Sequence, residues 1–199
     1  MPHPPQPAAS LMERKRRLVE QRIIAAADEL FSANGFENVS VTDIAARADV
    51  GRTTFFRYFG DKTEVVFARE REVLDSIAMR VADGLGAAHT TAEAVELLRP
   101  LVLDVCERVT SHHAEYERHN RLLALQPELQ ARDALKAQQI ADMLRGALAT
   151  SGTDERIAVL AAQIAVACYQ TGRRQAATAG ALVDETRAAF EAALTLGRR

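Results

Sequence analysis

The feature that most constrains the fold of this chain is residues 41–59, VTDIAARADVGRTTFFRYF. Two short amphipathic patterns with helical spacing stand on either side of a three-residue break, Asp49-Val50-Gly51. Two helices joined by so short a turn have to cross at once and bury their facing sides. We therefore predict a compact helical unit around this segment, with Phe55 and Phe59 anchoring its second helix in a core.

The same helical period continues over nearly the whole chain. The predicted fold is all-α: an N-terminal three-helix unit followed by a C-terminal helical bundle, about nine helices in total. Ser40, Asp61 and Thr90 have the side chains typical of helix N-caps, and Gly180 has the character of a C-cap. The predicted helices are residues 12–34, 41–48, 52–59, 62–83, 91–111, 115–126, 128–149, 154–178 and 183–196.

Length and composition exclude several classes of protein. A chain of 199 residues that is 48% hydrophobic can form a core, so the whole chain is not intrinsically disordered. Its apolar runs are shorter than the ~18 residues that a membrane-spanning helix needs. The Pro-rich start, MPHPPQPAAS, lacks the apolar segment of a signal peptide. We expect a cytoplasmic protein with a disordered arm over residues 1–11, a first domain over 12–62 and a second over 63–199.

The two cysteines, Cys106 and Cys168, lie in apolar helical stretches, and neither belongs to a C-x-x-C pair. We interpret them as reduced core residues, with a disulfide across an interface as the alternative. The sequence contains no cofactor motif and no cysteine pattern for a metal, and we expect neither a cofactor nor a metal.

Charge is distributed unevenly along the chain, although the net charge is only −2. Residues 11–22 carry five basic side chains against two acidic ones, whereas the residues from 64 onward carry 16 basic and 19 acidic ones. A polyanionic partner can therefore engage only the N-terminal part. The basic residues of that part are Arg14, Lys15, Arg16, Arg17 and Arg22.

The second helix of the 41–59 segment leaves a basic side facing outward. With its two anchoring rings inward, Arg52, Thr53 and Arg57 point away from the core. Arg can donate paired hydrogen bonds to guanine, and Thr can contact thymine methyls and phosphates. A generic helical hairpin with a solvated face gives the same pattern. The basic run ahead of it favours a DNA-binding helix-turn-helix.

Residues 23–67 closely resemble the N-terminal domain of the TetR family of bacterial repressors. The likeness runs through A-x-x-L-F-x-x-x-G-F in the first helix, T-D-I-A in the second, and T-x-F-x-x-Y-F-x-x-K from Thr53 to Lys62. The resemblance implies a homodimer that binds a palindromic operator in double-stranded DNA, and a variable C-terminal domain that binds an effector. The residues that it and the basic run place on DNA are Arg14, Lys15, Arg16, Arg17, Thr42, Gly51, Arg52, Thr53, Thr54, Phe56, Arg57, Tyr58 and Lys62.

Two positions depart from the family pattern. Gly51 stands where the family usually has Ser or Thr, which removes a hydroxyl and a side-chain cap. Phe56 replaces the usual Tyr, so one phosphate hydrogen bond is lost. We expect weaker binding rather than none. We also expect Arg52→Ala to relax sequence preference and Lys62→Ala to weaken binding to all sequences alike.

Apolar stripes on the last two predicted helices indicate an interface, although packing within one chain would give the same periodicity. The resemblance implies a two-fold seam of four helices, which would space two recognition helices about 34–36 Å apart on one face of DNA. The predicted interface residues are Ile157, Leu160, Ile164, Gly172, Leu182 and Phe190.

Residues 91–149 are the predicted effector region. Pro100 interrupts a helical pattern there, and the resulting kink either opens a cavity or lies harmlessly at the surface. Leu, Val and Ala prevail, which favours a small and mostly apolar effector. The polar candidates for its contacts are Tyr116, Asn120, Gln163 and Tyr169.

One cluster permits a different interpretation. His112, Glu115 and His119 share a helix face if one helix carries all three, and such a set can hold a transition metal. They lie where one predicted helix ends and the next begins, so an ordinary structural role is favoured.

The sequence therefore predicts a transcriptional regulator rather than an enzyme, a repressor released from DNA when an effector displaces the fourth helix. Two alternatives stay open: a ligand-insensitive dimeric DNA-binding protein, and a small helical enzyme with a metal on the histidine cluster.

Overall fold

The structure, a computed structural model, describes residues 11–68, 74, 77–81 and 84–196. The regular structure of these residues is helical throughout, which confirms the all-α prediction. Contacts divide the chain between Ala68 and Arg69 into two compact units. The arm expected over residues 1–11 lies outside the described residues except for Leu11, which begins the first helix.

The first unit contains four helices. Helix α1 ends at Asn34 and is followed by Gly35, whose φ of 79° is the left-handed conformation that glycine adopts readily. Its last turn is closed by a hydrogen bond from the Gly35 amide to the Phe31 carbonyl, 3.0 Å long. The helices are α1 (Leu11–Asn34), α2 (Val41–Arg47), α3 (Arg52–Tyr58) and α4 (Lys62–Val66).

Aromatic rings form the centre of this unit. Phe31 and Phe36 lie 5.1 Å apart between ring centroids, and Phe55 and Phe59 lie 5.8 Å apart. Helix α1 packs against α2 and α4, and α2 packs against α3. The other side chains of this core are aliphatic, among them Ile23, Val39, Ile44 and Val65. The core holds the short helix α3 in place, since seven residues cannot form a stable helix alone.

Helix α4 is shorter than predicted. The sequence pattern predicts one helix over 62–83, but α4 ends at Val66. The amide of Phe67 donates to the carbonyls of Glu64 and Val65 rather than to the carbonyl four residues earlier. The regular α-helical hydrogen bonding therefore stops there. Phe67 and Ala68 are both buried, and residues 74 and 77–81 are helical again. The remaining part of the predicted helix lies outside the described residues.

The second unit is a helical bundle. Its central helix α8 packs against α5, α7 and α9, and α9 also packs against α5. Among the residues described, no helix is both long and apolar enough to cross a lipid bilayer. The helices are α5 (Thr91–Val109), α6 (His113–Leu125), α7 (Pro127–Thr150), α8 (Glu155–Gln175) and α9 (Leu182–Thr195), with a short 3-10 helix at Ala179–Ala181.

Two details of this bundle differ from the predicted pattern. Helix α8 ends at Gln175 rather than at residue 178, because Ala176 is extended with a ψ of 112°. Gly180 is not a helix C-cap but the middle residue of the 3-10 helix. Pro100 lies inside a continuous α5 with an exposed ring, so its missing amide faces solvent rather than the core.

Candidate nucleic-acid interface

Helix α3 separates its anchoring side from its free side. The side chains of Phe55 and Phe59 are 0% and 1% exposed, whereas those of Arg52, Thr53 and Arg57 are exposed. The two rings fix the rotation of α3 about its axis, which keeps the basic side outward. The guanidinium of an Arg on such a helix can reach base edges in the major groove of a duplex.

The other α3 residues predicted to contact DNA are also accessible. Phe56 is 48% exposed, with its ring edge-on to Phe55. Thr54 and Tyr58 are partly exposed, and the Arg57 guanidinium carbon lies 5.6 Å from the centroid of the Tyr58 ring. Hydroxyls at the rim of a recognition helix have the geometry to bind phosphates rather than bases.

The turn before α3 is held by a residue from α1. Asp49 has a φ of 53°, a left-handed conformation that is unfavourable for a residue with a Cβ. The Arg22 guanidinium donates to the carbonyls of Ala48 and Asp49, the second at 2.9 Å, and the Val50 amide donates to the Ala45 carbonyl at 3.0 Å. These bonds fix how α2 leads into α3.

The N-terminus of α2 is fixed by a reciprocal capping box. Ser40 Oγ accepts a hydrogen bond from the Asp43 amide at 3.2 Å, and the Ser40 amide donates to Asp43 Oδ2 at 2.8 Å. Hydrogen bonds from the side chain and backbone of Ser40 hold the pKa of Asp43 below its ordinary value of 3.8. Thr42, a predicted phosphate contact, is exposed in this first turn.

Gly51 begins α3 without a side-chain cap, as its lack of a hydroxyl predicts. A Cβ added at this position would meet no atom within 4 Å, and its φ of −74° suits any residue. Neither space nor strain therefore requires glycine at the start of the helix.

The basic N-terminal run lies on the first turns of α1. Arg14, Lys15, Arg16 and Arg17 are all exposed. Four successive helical residues point in different directions, so they form a cationic collar around the helix.

Lys62 differs from the other predicted contacts because it is turned inward. Its Nζ donates to the carbonyls of Phe36 at 2.8 Å and Val39 at 3.1 Å. The same atom lies 4.3 Å from the centroid of the Phe36 ring. Its family-derived role as a phosphate contact stays a prediction.

The predicted interface residues divide into two groups. Ile157 and Ile164 are partly exposed on α8, and Leu160 is 52% exposed. Leu182 and Phe190 on α9 are 0% exposed, because they fill the core of their own unit. This placement corrects the assignment of Leu182 and Phe190 to a seam between chains.

Gly172 also lies at a contact between two helices of the same chain. A Cβ added there would lie 2.2 Å from Thr186 Oγ1 and 2.7 Å from Thr186 Cα, so glycine is what allows α8 and α9 to touch. Its side of α8 is buried against α9, which corrects its assignment to the seam as well.

Three of the four predicted effector contacts gather around an ion pair in the second unit. Arg173 binds Asp133 through two hydrogen bonds of 3.0 and 2.5 Å, and the Arg173 guanidinium carbon lies 5.8 Å from the centroid of the Tyr169 ring. Burial raises the pKa of Tyr116, against the lowering effects of Asn120 and Arg173. Tyr116 therefore stays a neutral hydroxyl at physiological pH.

The Tyr116 hydroxyl has an unusual environment. Its oxygen is buried and has no hydrogen bond of good geometry among the described residues, although the Asn120 side chain is near enough to lower its pKa. Tyr116 and Tyr169 both pack against the apolar core of the unit. A buried donor without an acceptor costs free energy, about 1–3 kcal/mol, unless a ligand or water supplies one.

Gln163 lies apart from this group. It is exposed and lines a shallow groove of about 160 Å³ between α7 and α8, together with Ala134, Gln138 and Ala167. Gln163 Nε2 is 3.5 Å from Gln138 Oε1, a long hydrogen bond at the surface.

The histidine cluster does not form a metal site in the described part of the chain. His112 is the N-cap of α6 rather than a member of the helix, as the predicted helix break there implies. The described residues contain no group of three potential ligands placed to hold a metal ion. The two cysteines are free and buried, and burial raises the pKa of each thiol to about 11, so both are protonated thiols.

Sequence reasoning overlooked the structural roles of Arg22, Asp133 and Arg173. Arg22 counts in the sequence only as one more basic residue, and no local signal shows that it reaches carbonyls 26 and 27 residues away. The partners Asp133 and Arg173 lie 40 residues apart in two helices. Only the antiparallel packing of α7 and α8 brings them together.

Comparisons with known proteins agree with this arrangement. The family model described as "Bacterial regulatory proteins, tetR family" matches residues 23–68. The putative mycofactocin biosynthesis transcriptional regulator MftR of Mycobacterium tuberculosis is 33% identical over 134 residues, which cover 63% of this chain and 61% of that protein. The chain thus spans less than two thirds of the length of the curated relatives that it matches.

Solved structures extend the likeness to both units. FadR of Thermus thermophilus, a TetR family transcriptional repressor in complex with lauroyl-CoA, is 26% identical with a TM-score of 0.54, covering 90% of this chain and 95% of that one. FadR of Bacillus subtilis, 20% identical with a TM-score of 0.51, covers 89% and 98% and shares the fold. Residues 23–68 therefore match the tetR family of bacterial regulatory proteins, and the fold of both units is similar to that of the Thermus thermophilus TetR family repressor.

Proposed function

We propose that this protein is a sequence-specific DNA-binding transcriptional repressor that binds a palindromic operator as a homodimer. The observation that carries the proposal is the two-sided α3, with Phe55 and Phe59 buried and Arg52, Thr53 and Arg57 exposed. Arg52 and Arg57 read base edges, while Thr42, Thr54 and Tyr58 bind phosphates beside them. The collar of α1 adds phosphate contacts without sequence preference.

The dimer follows from the size of the recognition helix. Seven residues of α3 can reach about one half-site, so a second copy one helical turn away is needed for a useful affinity. The exposed apolar residues Val159 and Leu160 of α8, with Ile157 and Ile164 beside them, supply the face on which a second copy packs. An isologous contact of this kind is self-complementary about a two-fold axis.

Selection of random duplexes on the purified protein tests this function. We expect a palindromic consensus with half-sites about one helical turn apart. Arg52→Ala should then weaken binding to the consensus operator by roughly 1–3 kcal/mol. It should also relax the base preference at the position that Arg52 reads. Lys15→Met, its matched control, should weaken binding to all sequences equally. If no duplex is enriched, the proposal is wrong.

We also infer that a small, mostly apolar effector binds the second unit. Its polar group would hydrogen-bond to the buried Tyr116 hydroxyl and to Asn120, next to Tyr169 and the Arg173–Asp133 pair. The buried hydroxyl, which has no well-aligned hydrogen bond, and the surrounding apolar core support this position. The Thermus thermophilus structure is in complex with lauroyl-CoA, whose acyl chain is apolar although its CoA part is charged, so lauroyl-CoA and free laurate are the first compounds to try.

The proposed effector site is tested by measuring how much lauroyl-CoA releases the selected operator from the protein. Free CoA and laurate are the comparison compounds. We expect Tyr116→Phe to fold normally, because it removes a hydroxyl without a well-aligned hydrogen bond, and to need about tenfold more ligand for release. Gln163→Ala, a control on the exposed groove, should respond as the wild type does. If no compound in a broad apolar library releases the DNA, the protein is a ligand-insensitive DNA-binding dimer.

A further inference from the structure

The ion pair between α7 and α8 carries no net charge. Nη1 and Nη2 of Arg173 donate to the two carboxylate oxygens of Asp133 at 3.0 and 2.5 Å, and both side chains are 21% exposed. Burial acts to lower the pKa of Arg173, but the hydrogen bonds to Asp133 raise it above its ordinary value. Arg173 is therefore a cation, and the Asp133 carboxylate balances its charge.

The Tyr116 hydroxyl lies within the electrostatic reach of this pair. Arg173 acts to lower the pKa of Tyr116 and Asp133 acts to raise it, so the two charges oppose each other at the hydroxyl. Tyr116 and Tyr169 also pack against the apolar core of the unit. A polar group that binds beside Tyr116 therefore meets apolar atoms, a neutral hydroxyl and an ion pair that is already balanced.

These surroundings favour one kind of polar group on a ligand. The O–H of Tyr116 is a donor, so the ligand has to present an acceptor, which a carbonyl or hydroxyl oxygen is and an ammonium group is not. A carboxylate also accepts, but it would bring a second negative charge next to Asp133. Burying a charge without a partner of opposite sign is costly, so an acid is disfavoured as well.

We propose that the effector site selects an uncharged apolar molecule with a carbonyl or hydroxyl oxygen, and that Asp133 sets this selectivity against acids. The inference rests on the proposed effector site beside Tyr116 and adds the chemical class of the head group that it accepts. Asp133 acts through Arg173, because its carboxylate cancels the charge that would otherwise attract an acid.

The first measurement compares decanol, decanoate and decylamine by calorimetric titration of the wild-type protein at neutral pH without DNA. The three compounds have the same chain and differ in the charge of the head group. We expect decanol to bind at least about tenfold more tightly than either ion. Tyr116→Phe should weaken decanol binding about tenfold, which would place the ligand at this hydroxyl. Decanoate that binds the wild type as tightly as decanol overturns the proposal.

The second measurement repeats these titrations on Asp133→Asn, which keeps the shape of the side chain and removes its charge. The unbalanced charge of Arg173 should raise the affinity for decanoate about tenfold, lower that for decylamine and leave decanol binding unchanged. Asp142→Asn removes the same charge from an exposed residue of α7 and should change none of the three. A merely structural defect would weaken all three alike. An unchanged preference in Asp133→Asn overturns the proposal.

The outcomes separate this inference from the proposed function. Tight decanoate binding that Tyr116→Phe weakens overturns the head-group selectivity and leaves the effector site standing. If none of the three compounds binds the wild type, the effector site and the selectivity are both wrong. If no duplex is enriched, the DNA-binding function fails, while the titrations without DNA still decide the selectivity. If Asp133→Asn does not fold, the wild-type comparison with Tyr116→Phe decides it.

Discussion

Asp49 carries a conformational cost at the turn between α2 and α3. Its φ of 53° is left-handed, which costs a residue with a Cβ roughly 1–2 kcal/mol relative to glycine. Asp49→Gly removes that cost and keeps both carbonyls that Arg22 binds. It loses only the 3.4 Å ion pair between Arg22 and an exposed carboxylate, which contributes little.

We therefore expect Asp49→Gly to raise the free energy of unfolding by about 0.5–1 kcal/mol, measured in urea. Asp49→Ala, its control, keeps the left-handed cost and should be less stable than the wild type. A glycine variant that unfolds at lower urea than the wild type would show that Arg22 and the Asp49 carboxylate contribute more than the strain.

Ser40 and Asp43 predict a dependence on pH. Because the pKa of Asp43 is lower in the folded protein, its ionised form stabilises α2 above the unfolded pKa, near 3.8, and this contribution is lost as pH falls through the lower folded pKa. Ser40→Ala removes the hydroxyl of the cap and should cost about 1 kcal/mol at neutral pH. The Asp43 titration midpoint should rise in this variant, and a midpoint that stays in place would refute the capping box.

At the scale of elements, the close contact of α8 and α9 depends on one glycine. A Cβ at Gly172 would lie 2.7 Å from the backbone of Thr186, which cannot move without moving α9. Gly172→Ala should lower the free energy of unfolding by about 1–3 kcal/mol. Gly146→Ala is the matched control, since its Cβ would meet nothing within 4 Å inside α7, and it should gain about 0.5–1 kcal/mol. Equal effects of the two changes in urea unfolding would contradict the close contact.

A substitution at the N-cap of α3 should increase the affinity for the operator. Gly51→Ser places a cap hydroxyl where nothing lies within 4 Å, and serine at an N-cap is favoured over glycine by only a few tenths of a kcal/mol. The hydroxyl also regains the phosphate contact that the family pattern has at this position. We expect operator affinity to rise several-fold in binding assays, with little change in unfolding. Weaker binding would mean that the DNA backbone approaches too closely for a side chain.

At the scale of the whole molecule, the proposed dimer depends on the exposed face of α8. Leu160→Arg places a charge on an apolar residue that is 52% exposed, so a desolvated charge should split the dimer without harming the fold. Light scattering should report a monomer, and operator binding should be lost. Leu135→Arg, on an α7 residue that is 61% exposed, is the control. Dissociation by Leu135→Arg alone would place the seam on α7.

Much of this protein could be predicted from local sequence. The helical period, the caps at Ser40, Asp61 and Thr90, and the two rings of α3 give the all-α class and the outward basic side, because each is a relation between residues within one or two turns. The Asp49-Val50-Gly51 break sets the length of the turn in the same way.

Tertiary structure decided what periodicity leaves ambiguous. An apolar stripe looks the same whether it meets its own chain or a second copy, so only the packing showed that Leu182 and Phe190 are core residues and that Leu160 is exposed. Long charged side chains have the same ambiguity. Lys62 and Arg22 each turn toward carbonyls about 26 residues away, and that choice depends on where the chain folds back, which no local pattern records.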